Sequence, residues 1–309
     1  MTLKDVVGKH YGSRIVVIGI GAMLTESAGA GLLLNAAATG NANSKTKKPG
    51  SRLLTADLLG VIGCHYLPER DQLLIVEFGG RLSAINQLSG LAPSYTILGT
   101  GYQEIEDVVV TADRRTAYIT ERVGALLEVR LDAPDRNKAR VISTDLEAPQ
   151  QLQLDEANQH LYLVEFADPG HLWRFDLRTG ERTALIEKLE FAIGVLLSAD
   201  RRYIYISEEP NNSERRIRKF DTVTGEWTTV ATSNEGPLFY LYWLDADENA
   251  ILVTERDPAH KLWLVDMNTT PATKHCIAKV PHRPSSVAQV PGGFVVCCDS
   301  VIVELSPEE

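Results

Sequence analysis

The sequence predicts an all-β protein, a seven-bladed β-propeller of four-stranded antiparallel blades that occupies residues 1–309 as a single domain. Three observations support this prediction. Apolar residues of segment 140–185 alternate with a period of two, as half-buried strands do. Turn-forming Asp, Asn, Pro and Gly residues at 155–158, 168–170 and 176–180 divide that segment into four short strands. The pattern recurs about every 44 residues, which is the size of one propeller blade.

The copies are aligned on an acidic residue that ends the second strand of each repeat. These acids are 43 to 51 residues apart along the chain. They are Glu26, Glu77, Glu121, Glu165, Glu208, Glu255 and Asp299. Seven acids predict seven blades. The first copy is the least strand-like, with Gly-Ile-Gly at 19–21, so six blades with a decorated N-terminus are the alternative.

A further strand precedes the first strand of each repeat, starting with residues 3–7 and recurring at 53–58. The chain therefore begins on a fourth strand and ends on a third, at 301–305. We expect the N-terminal strand to complete the C-terminal blade, because this closes the ring and leaves no open sheet edge. Residues 36–51, AAATGNANSKTKKPGS, predict an inserted flexible loop.

Charge and composition restrict the partners of this protein. A formal net charge of −10 disfavours nucleic acid and anionic membranes, since both bind basic surfaces. The apolar run at 15–20 is short and is followed by Gly, Thr and Glu, so neither an export signal nor a membrane span is predicted. We expect a cytoplasmic monomer that binds a small molecule. The four cysteines have no CxxC spacing, which predicts neither a disulfide framework nor a zinc site.

In a propeller the second strand ends on the face where the first begins, so we expect the ligand site around the mouth of the central channel on that face. The repeated acids lie there. A residue that recurs in every blade usually performs the same local task in each, here accepting hydrogen bonds from the backbone of the loop after strand two. The alternative is that some of these carboxylates bind a cation such as calcium.

Residues at the entrance to the innermost strands vary from blade to blade, as a specific site requires. Counting back from the acids places them at Ser13, Ile62, Glu106, Gln150, Ile193, Tyr240 and Ser286. The candidate catalytic residues are Glu106, Tyr240 and His282. The candidate substrate-binding residues are Tyr11, Ser13, Tyr102, Gln150, Gln151, Phe239, Arg283 and Ser286. Further neighbours of the mouth are His10, Glu104 and Asp107.

The repeat, as in FAIGVLLSADRRYIYISE at 191–208 and RIRKFDTVTGEWTTV at 216–230, resembles the blades of several propeller families. These are the NHL-repeat, gluconolactonase and regucalcin-like, strictosidine-synthase-like and virginiamycin B lyase-like propellers. The resemblance covers nearly the whole chain and implies the fold. In the gluconolactonase-like group a Glu and two Asn or Asp residues at first-strand entrances hold a divalent cation.

By that resemblance Glu106 would be a ligand of the cation, and Gln150 would replace a second ligand. Ile193 stands where an Asn ligand is expected. It implies calcium or magnesium as the one candidate cofactor. The strictosidine-synthase-like resemblance implies a general acid or base in an apolar funnel, a role for Glu106 if burial raises its pKa. The virginiamycin B lyase-like resemblance implies an active-site His, and His282 lies near a first-strand entrance.

The sequence contains neither a Gly-rich phosphate loop nor a GxSxG motif, which disfavours P-loop nucleotide binding and a nucleophile-elbow hydrolase. We expect an enzyme that processes a small molecule by acid–base chemistry, as a lyase, a cyclising or condensing enzyme, or a hydrolase. The alternative is a non-catalytic scaffold that binds a ligand or a protein. An enzyme should bury Glu106 in a concave pocket, whereas a scaffold should expose a flat or apolar face.

Overall fold

The structure is a computed structural model that describes residues 6–7, 11–19, 54–90, 93–211 and 213–307. In this part of the chain the strands form six sheets arranged as the blades of one β-propeller. The innermost strands of successive blades are neighbours, and the innermost strand of the sixth blade is next to that of the first, so the ring is closed.

Each of the first five blades consists of four strands that follow one another in the sequence and pair antiparallel. The first blade contains β3 (Val61–Leu67), β4 (Gln72–Glu77), β5 (Arg81–Asn86) and β6 (Ser94–Thr100). The second contains β7 (Ile105–Val110), β8 (Thr116–Glu121), β9 (Ala125–Arg130) and β10 (Arg140–Ser143). The third contains β11 (Pro149–Asp155), β12 (His160–Glu165), β13 (Gly170–Asp176) and β14 (Arg182–Leu189).

The fourth and fifth blades repeat this arrangement. The fourth contains β15 (Ala192–Leu197), β16 (Tyr203–Glu208), β17 (Arg215–Asp221) and β18 (Trp227–Ser233). The fifth contains β19 (Leu238–Trp243), β20 (Ala250–Glu255), β21 (Lys261–Asp266) and β22 (Thr273–Lys279). Short 3-10 turns occupy Pro68–Arg70, Arg136–Lys138 and Glu156–Asn158. Among the described residues, none of the helical segments reaches the length and hydrophobicity of a membrane-spanning helix.

The sixth blade joins the two ends of the chain. It contains β23 (Pro284–Val290), β24 (Gly293–Cys298), β25 (Val301–Pro307) and, antiparallel to β25, the N-terminal strand β1 (Tyr11–Gly19). The short strand β2 (Leu54–Ala56) pairs parallel with β1 at its outer edge. The expectation that an N-terminal strand closes the ring is therefore confirmed, but residues 11–19 form it rather than residues 3–7.

The described residues form six blades, so the prediction of seven blades was wrong and its alternative of six is confirmed. Residues 11–19 were expected to begin the innermost strand of a first blade. They instead extend the sheet of the sixth blade, where β25 and β24 separate them from the innermost strand β23. Glu26 and the predicted insertion at 36–51 lie outside the described residues.

The core lies between neighbouring blades. Successive side chains of a strand point to opposite faces of its sheet. Neighbouring blades cover both faces of a blade, so the side chains on both faces are apolar. Leu74 and Val76 of the first blade, for example, pack in one buried cluster with Val108 and Ile119 of the second.

The acid that ends the second strand anchors the loop that leads into its own blade. Oε2 of Glu77 accepts a hydrogen bond from the backbone N–H of Leu59 at 2.8 Å, and Oε1 of Glu121 accepts one from that of Gln103 at 2.9 Å. Glu165 and Glu208 make the corresponding bonds in the third and fourth blades. The acids are thus structural, as expected, but they bind the loop before strand one rather than the loop after strand two.

Candidate functional site

A cavity of about 490 Å³ opens at the end of the ring where the first strands begin and the second strands end. All six blades contribute to its lining. The described residues around it are Leu59, Gly60, Ile62, Phe78, Glu106, Arg122, Gln150, Phe166, Ile193, Glu209, Pro237, Phe239, Arg256, Arg283 and Asp299. This is the mouth of the central channel, where the strand topology predicts a site.

Strand register assigns these residues to rings of equivalent positions. The second residue of each innermost strand forms what we call the entrance ring, which consists of Ile62, Glu106, Gln150, Ile193, Phe239 and Ser285. The residue after each second strand forms the rim ring. Each of its members donates its backbone N–H to the carbonyl of the loop before strand one. The rim ring consists of Phe78, Arg122, Phe166, Glu209, Arg256 and Asp299.

Two residues predicted for the entrance lie one position deeper. In the fifth blade Leu238 pairs with Glu255, whereas in the second Ile105 pairs with Glu121, so the hairpin of the fifth blade is one residue longer. The entrance residue there is consequently Phe239, and Tyr240 lies below it. In the sixth blade Cys298 occupies the place of the repeated acid, Asp299 belongs to the rim ring, and Ser285 precedes the predicted Ser286.

A third set of equivalent residues lies beneath the entrance ring and fills the channel. This floor ring consists of Gly63, Asp107, Gln151, Gly194, Tyr240 and Ser286. The amide of Gln151 reaches the innermost strands of the fourth and fifth blades. Its Nε2 donates to the carbonyl of Leu241 at 2.9 Å, and its Oε1 accepts from the backbone N–H groups of Leu241 and Val195, both at 3.0 Å. This amide and the Tyr240 hydroxyl, which lies 3.2 Å from the carbonyl oxygen of Glu106 on the opposite blade, thus fill the channel below the cavity.

Glu106 of the entrance ring lines the cavity directly above this floor, and the residue is 2% exposed. Nη1 of Arg122 lies 3.2 Å from its Oε1, and the hydroxyl of Tyr240 lies 3.4 Å from its Oε2. Burial raises the pKa of Glu106. Arg122, Arg256 and a hydrogen bond with Gln150 oppose that rise by favouring the charged form. The balance of these effects leaves the pKa of Glu106 above its ordinary value.

Asp107, next in the chain, is a second buried carboxyl group. Its Oδ2 accepts the backbone N–H of Leu152 at 2.9 Å, so it ties the second blade to the third. Burial raises the pKa of Asp107 to about 7, and the neighbouring charge of Glu106 adds to the rise. This carboxyl group does not line the cavity, and we assign it to the support of the floor.

Arg256 presents a buried cation to the cavity, where it is 9% exposed. Its Nε donates to the carbonyl of Pro284 at 3.2 Å and its Nη2 to Oγ of Ser285 at 2.9 Å. The guanidinium lies 4.0 Å from the ring centroid of Phe239 and 3.3 Å from Oδ1 of Asp299. Burial lowers the pKa of Arg256, and the charge of Arg283 acts in the same direction. Arg256 is consequently a fixed cation with little contact with water.

The remaining predicted site residues are dispersed. Arg283 lines the cavity, where its Nε pairs with Oδ2 of Asp257 at 2.8 Å. Tyr102 is buried between the first two blades and donates its hydroxyl to the carbonyl of Pro134 at 2.9 Å. His282 is half-buried and is absent from the described lining of the cavity. Tyr11 and Ser13 lie in β1, which two strands separate from the innermost strand of their blade, while His10 lies outside the described residues.

The rim ring is the part of the site that the sequence prediction missed as a set. Its members directly follow the repeated acids in the first five blades, as in LIVEF, YITER, YLVEF, YISEE and LVTER. The acid is constant there, whereas the next residue is Phe, Arg, Phe, Glu and Arg. Such variation beside a constant position is the signal that identifies a specific site in a repeat protein.

The residues at the channel mouth do not fit a divalent cation. Glu106 is the one carboxylate of the entrance ring, and a guanidinium, rather than a second oxygen ligand, flanks its Oε1. Ile62, Ile193 and Phe239 occupy entrance positions that would have to supply oxygen ligands. Over the described residues, no group of three or more His, Cys, Asp or Glu side chains converges to hold a metal ion.

No protein-family model matches the chain, and no curated protein matches its sequence. Solved structures match its fold. A gluconolactonase from Xanthomonas campestris superposes with a TM-score of 0.67 at 12% identity, over 81% of this chain and 87% of that one. A luciferin-regenerating enzyme does so with a TM-score of 0.63 at 12% identity, over 81% and 92%. An auxiliary nutrient binding protein from Bacteroides ovatus gives 0.62 at 13% identity, over 82% and 70%.

These similarities confirm the propeller fold that the repeat predicts, including its resemblance to the gluconolactonase-like propellers. At such low sequence identity they establish the fold alone. Enzymes and a binding protein share this architecture, so the activity has to be argued from the residues of the cavity.

Proposed function

We propose that this protein binds a small organic molecule in the cavity at the channel mouth and transforms it by acid–base chemistry on Glu106. The observation that supports the proposal is a buried carboxyl group at the bottom of a closed-ended cavity, with a guanidinium on one oxygen and a phenol near the other. Burial raises the pKa of Glu106 above its ordinary value, which is the direction that a carboxyl group needs to act as a proton donor.

Arg122 and Tyr240 would have different tasks in this chemistry. When Glu106 has lost its proton, the guanidinium of Arg122 stabilises the carboxylate that results. The Tyr240 hydroxyl also hydrogen-bonds to the Glu106 carbonyl at 3.2 Å and so restrains the backbone that carries the group. Elimination, cyclisation, condensation and hydrolysis all require such a proton transfer, and each fits the proposal.

Apolar side chains around Glu106 would shield the reaction from water. Phe78, Phe166 and Phe239 line the cavity together with Ile62 and Ile193. A low local dielectric strengthens the interactions of the charged groups with a bound molecule. The proposed chemistry uses only the side chains of the chain, so a chelator such as EDTA should leave it unchanged.

The test is to incubate the purified protein with a broad metabolite mixture and to follow the depletion of each compound by mass spectrometry. The Glu106→Gln variant, which keeps the size of the side chain, should slow the depletion about 100-fold or more. Glu226→Gln is the matched control, since Glu226 is exposed in the turn between β17 and β18. Depletion by Glu106→Gln at the rate of the unaltered protein would refute the assignment.

Binding without turnover is the second candidate function. It is favoured by the complete set of partners around the Glu106 carboxyl group, namely Arg122, Tyr240 and Gln150, which resembles a structural ion pair. A binding protein would be stabilised against thermal unfolding by its ligand without consuming it, by about 2.7 kcal/mol at 100 times the dissociation constant. Measuring the melting temperature with the same mixture separates the two functions.

A further inference from the structure

Two arginines of the rim ring have hydrogen-bond donors without acceptors among the described residues. Arg122 donates through Nη1 to Glu106, which leaves its Nε and Nη2. Arg256 donates through Nε and Nη2, which leaves its Nη1. Both side chains line the cavity, and both guanidinium groups act on the charge of Glu106. A ligand in the cavity would therefore meet unsatisfied N–H groups of two cations close to the candidate proton donor.

The position of Arg256 is held by the protein before any ligand binds. A backbone carbonyl, a serine hydroxyl and the face of the Phe239 ring restrain its guanidinium on three sides. A cation that is already ordered and desolvated loses little entropy and little hydration when it pairs with an anion, so the pairing favours binding. Arg122 is more mobile in principle, because its side chain is 40% exposed.

The acidic residues of the lining already have cationic partners. Asp299 pairs with Arg256 at 3.3 Å, and Glu209 pairs with Arg215 at 3.5 Å. Glu106 pairs with Arg122 at 3.2 Å. The carboxylates of the lining are thus compensated, whereas the arginines retain spare donors, so the polar part of the cavity is better suited to an anion than to a cation.

Much of the rest of the lining is apolar. The rings of Phe78, Phe166 and Phe239 belong to the first, third and fifth blades, so they alternate around the cavity. Ile62 and Ile193 belong to the entrance ring and pack with Phe239 and Tyr240 in one cluster. Arg256 and Tyr240 pack against the ring of Phe239, so the half-buried rings of Phe78 and Phe166 are the ones on which a planar ligand can stack. The volume of about 490 Å³ is within the range of small-molecule pockets.

We infer that the ligand of this cavity is a small carboxylic acid with a planar apolar body, whose carboxylate pairs with the guanidinium groups of Arg122 and Arg256. This inference rests on the proposed function and names the substrate class of the same site. A planar guanidinium matches a carboxylate through paired hydrogen bonds, which explains why arginine rather than lysine stands at both rim positions.

The test compares acids with the uncharged amides of the same shape by isothermal titration calorimetry on the full chain. The probes are benzoate, phenylacetate and cinnamate, each paired with benzamide, phenylacetamide and cinnamamide. Hydrogen bonds to charged groups contribute about twice as much as neutral ones, so at least one acid should bind about tenfold more tightly than its amide. Arg122→Gln should bring that ratio close to unity, and Arg256→Lys should reduce it without removing the positive charge.

Arg130→Gln is the matched control, because Arg130 is exposed on the third strand of the second blade and pairs with Asp132. It should leave the ratio unchanged. The inference is overturned if every amide binds as tightly as its acid, if the ratio survives in both Arg122→Gln and Arg256→Lys, or if no acid binds at concentrations up to about 10 mM. Each of these results can occur while Glu106→Gln still abolishes metabolite depletion, so failure of the inference is distinguishable from failure of the proposed function.

Discussion

The hydroxyl of Tyr240 lies 3.4 Å from Oε2 of Glu106, although the two residues are 134 positions apart and belong to opposite blades of the ring. The same hydroxyl lies 3.2 Å from the carbonyl oxygen of Glu106. A tyrosine side chain therefore crosses the central channel and closes it below the cavity. This contact joins the structural role of the floor ring to the chemistry proposed above it.

Replacing Tyr240 by Phe removes only this hydroxyl. The carboxyl group and carbonyl of Glu106 then lose a buried donor, which should lower the free energy of unfolding by about 1 kcal/mol. The change is measurable from urea denaturation midpoints. Tyr203→Phe is the control, because the Tyr203 ring lies beneath Arg202 on the fourth blade, away from the channel. Equal midpoints for the two variants would show that the contact across the channel contributes nothing.

Gly194 allows the innermost strands of the fourth and fifth blades to approach each other closely. A Cβ atom there would lie 2.7 Å from Oγ of Ser207 and 2.8 Å from the carbonyl oxygen of Phe239. Gly194→Ala should lower the free energy of unfolding by about 3 kcal/mol, because the groups that the added methyl group would overlap are closely packed and have little room to move.

Gly180→Ala provides the comparison for that substitution. Gly180 has a positive φ of 79°, but a Cβ atom there meets no heavy atom within 4 Å. Its replacement should cost only about 1 kcal/mol, which is the backbone penalty of the left-handed conformation. Thermal unfolding of both variants measures the difference. Similar losses would contradict the view that Gly194 is required by packing.

Asp107 should make stability depend on pH in an unusual direction. Burial raises the pKa of its carboxyl group to about 7 in the folded protein, above the ordinary value of 3.8. Between those pH values the folded state binds the proton more tightly, so ionisation destabilises it as pH rises. Asp107→Asn cannot ionise, and its stability relative to the unaltered protein should increase by roughly 1.4 kcal/mol per pH unit from about pH 4 to 7.

To test this dependence, the free energies of unfolding of Asp107→Asn and of the unaltered protein are measured at several pH values and subtracted. Other titrating groups, including Glu106, are present in both proteins, so their direct contributions largely cancel. Asp113→Asn is the control, since Asp113 is exposed and its pKa is lowered by hydrogen bonds with Thr111 and Arg115. A flat difference for Asp107→Asn would mean that its carboxyl group is ionised at little cost.

Glu121 should be required for stability rather than for ligand binding. It is fully buried, and Arg136 donates to its two carboxylate oxygens at 3.0 and 3.1 Å. Glu121→Gln leaves that guanidinium without a charged partner and should cost about 3 kcal/mol. Glu128→Gln, at the exposed pair with Arg140, should cost less than about 1 kcal/mol. If Glu121→Gln and Glu128→Gln had the same urea midpoint, the result would argue against a structural role for the repeated acids.

Much of the fold could be predicted from the sequence because its signals are local. Alternation with a period of two, turn residues and the repeated acid depend on neighbouring residues, and the strands of the described blades follow them. Glu106 and Gln150 were placed at the channel entrance by counting from Glu121 and Glu165, since the second and third blades have hairpins of the same length. Tyr240 was displaced by one position because the hairpin of the fifth blade is one residue longer, and Ser286 because Cys298, rather than Asp299, occupies the place of the repeated acid.

The number of blades was decided only by tertiary structure. Both six and seven copies were compatible with the sequence, because strand residues 11–19 can serve equally well in an innermost or an outermost position. Their antiparallel pairing with β25 selects the outer one. That pairing joins the two ends of the chain, so no short-range pattern could have indicated it.

The sequence by itself determined an all-β repeat fold, the spacing of its strands and the location of one carboxyl group at the channel mouth. Tertiary structure decided which side chains surround that carboxyl group. Arg122 is 16 residues from Glu106, and Tyr240 is 134 residues from it. Such contacts depend on how the blades close into a ring, and a ring brings together residues from every repeat irrespective of their separation in the chain.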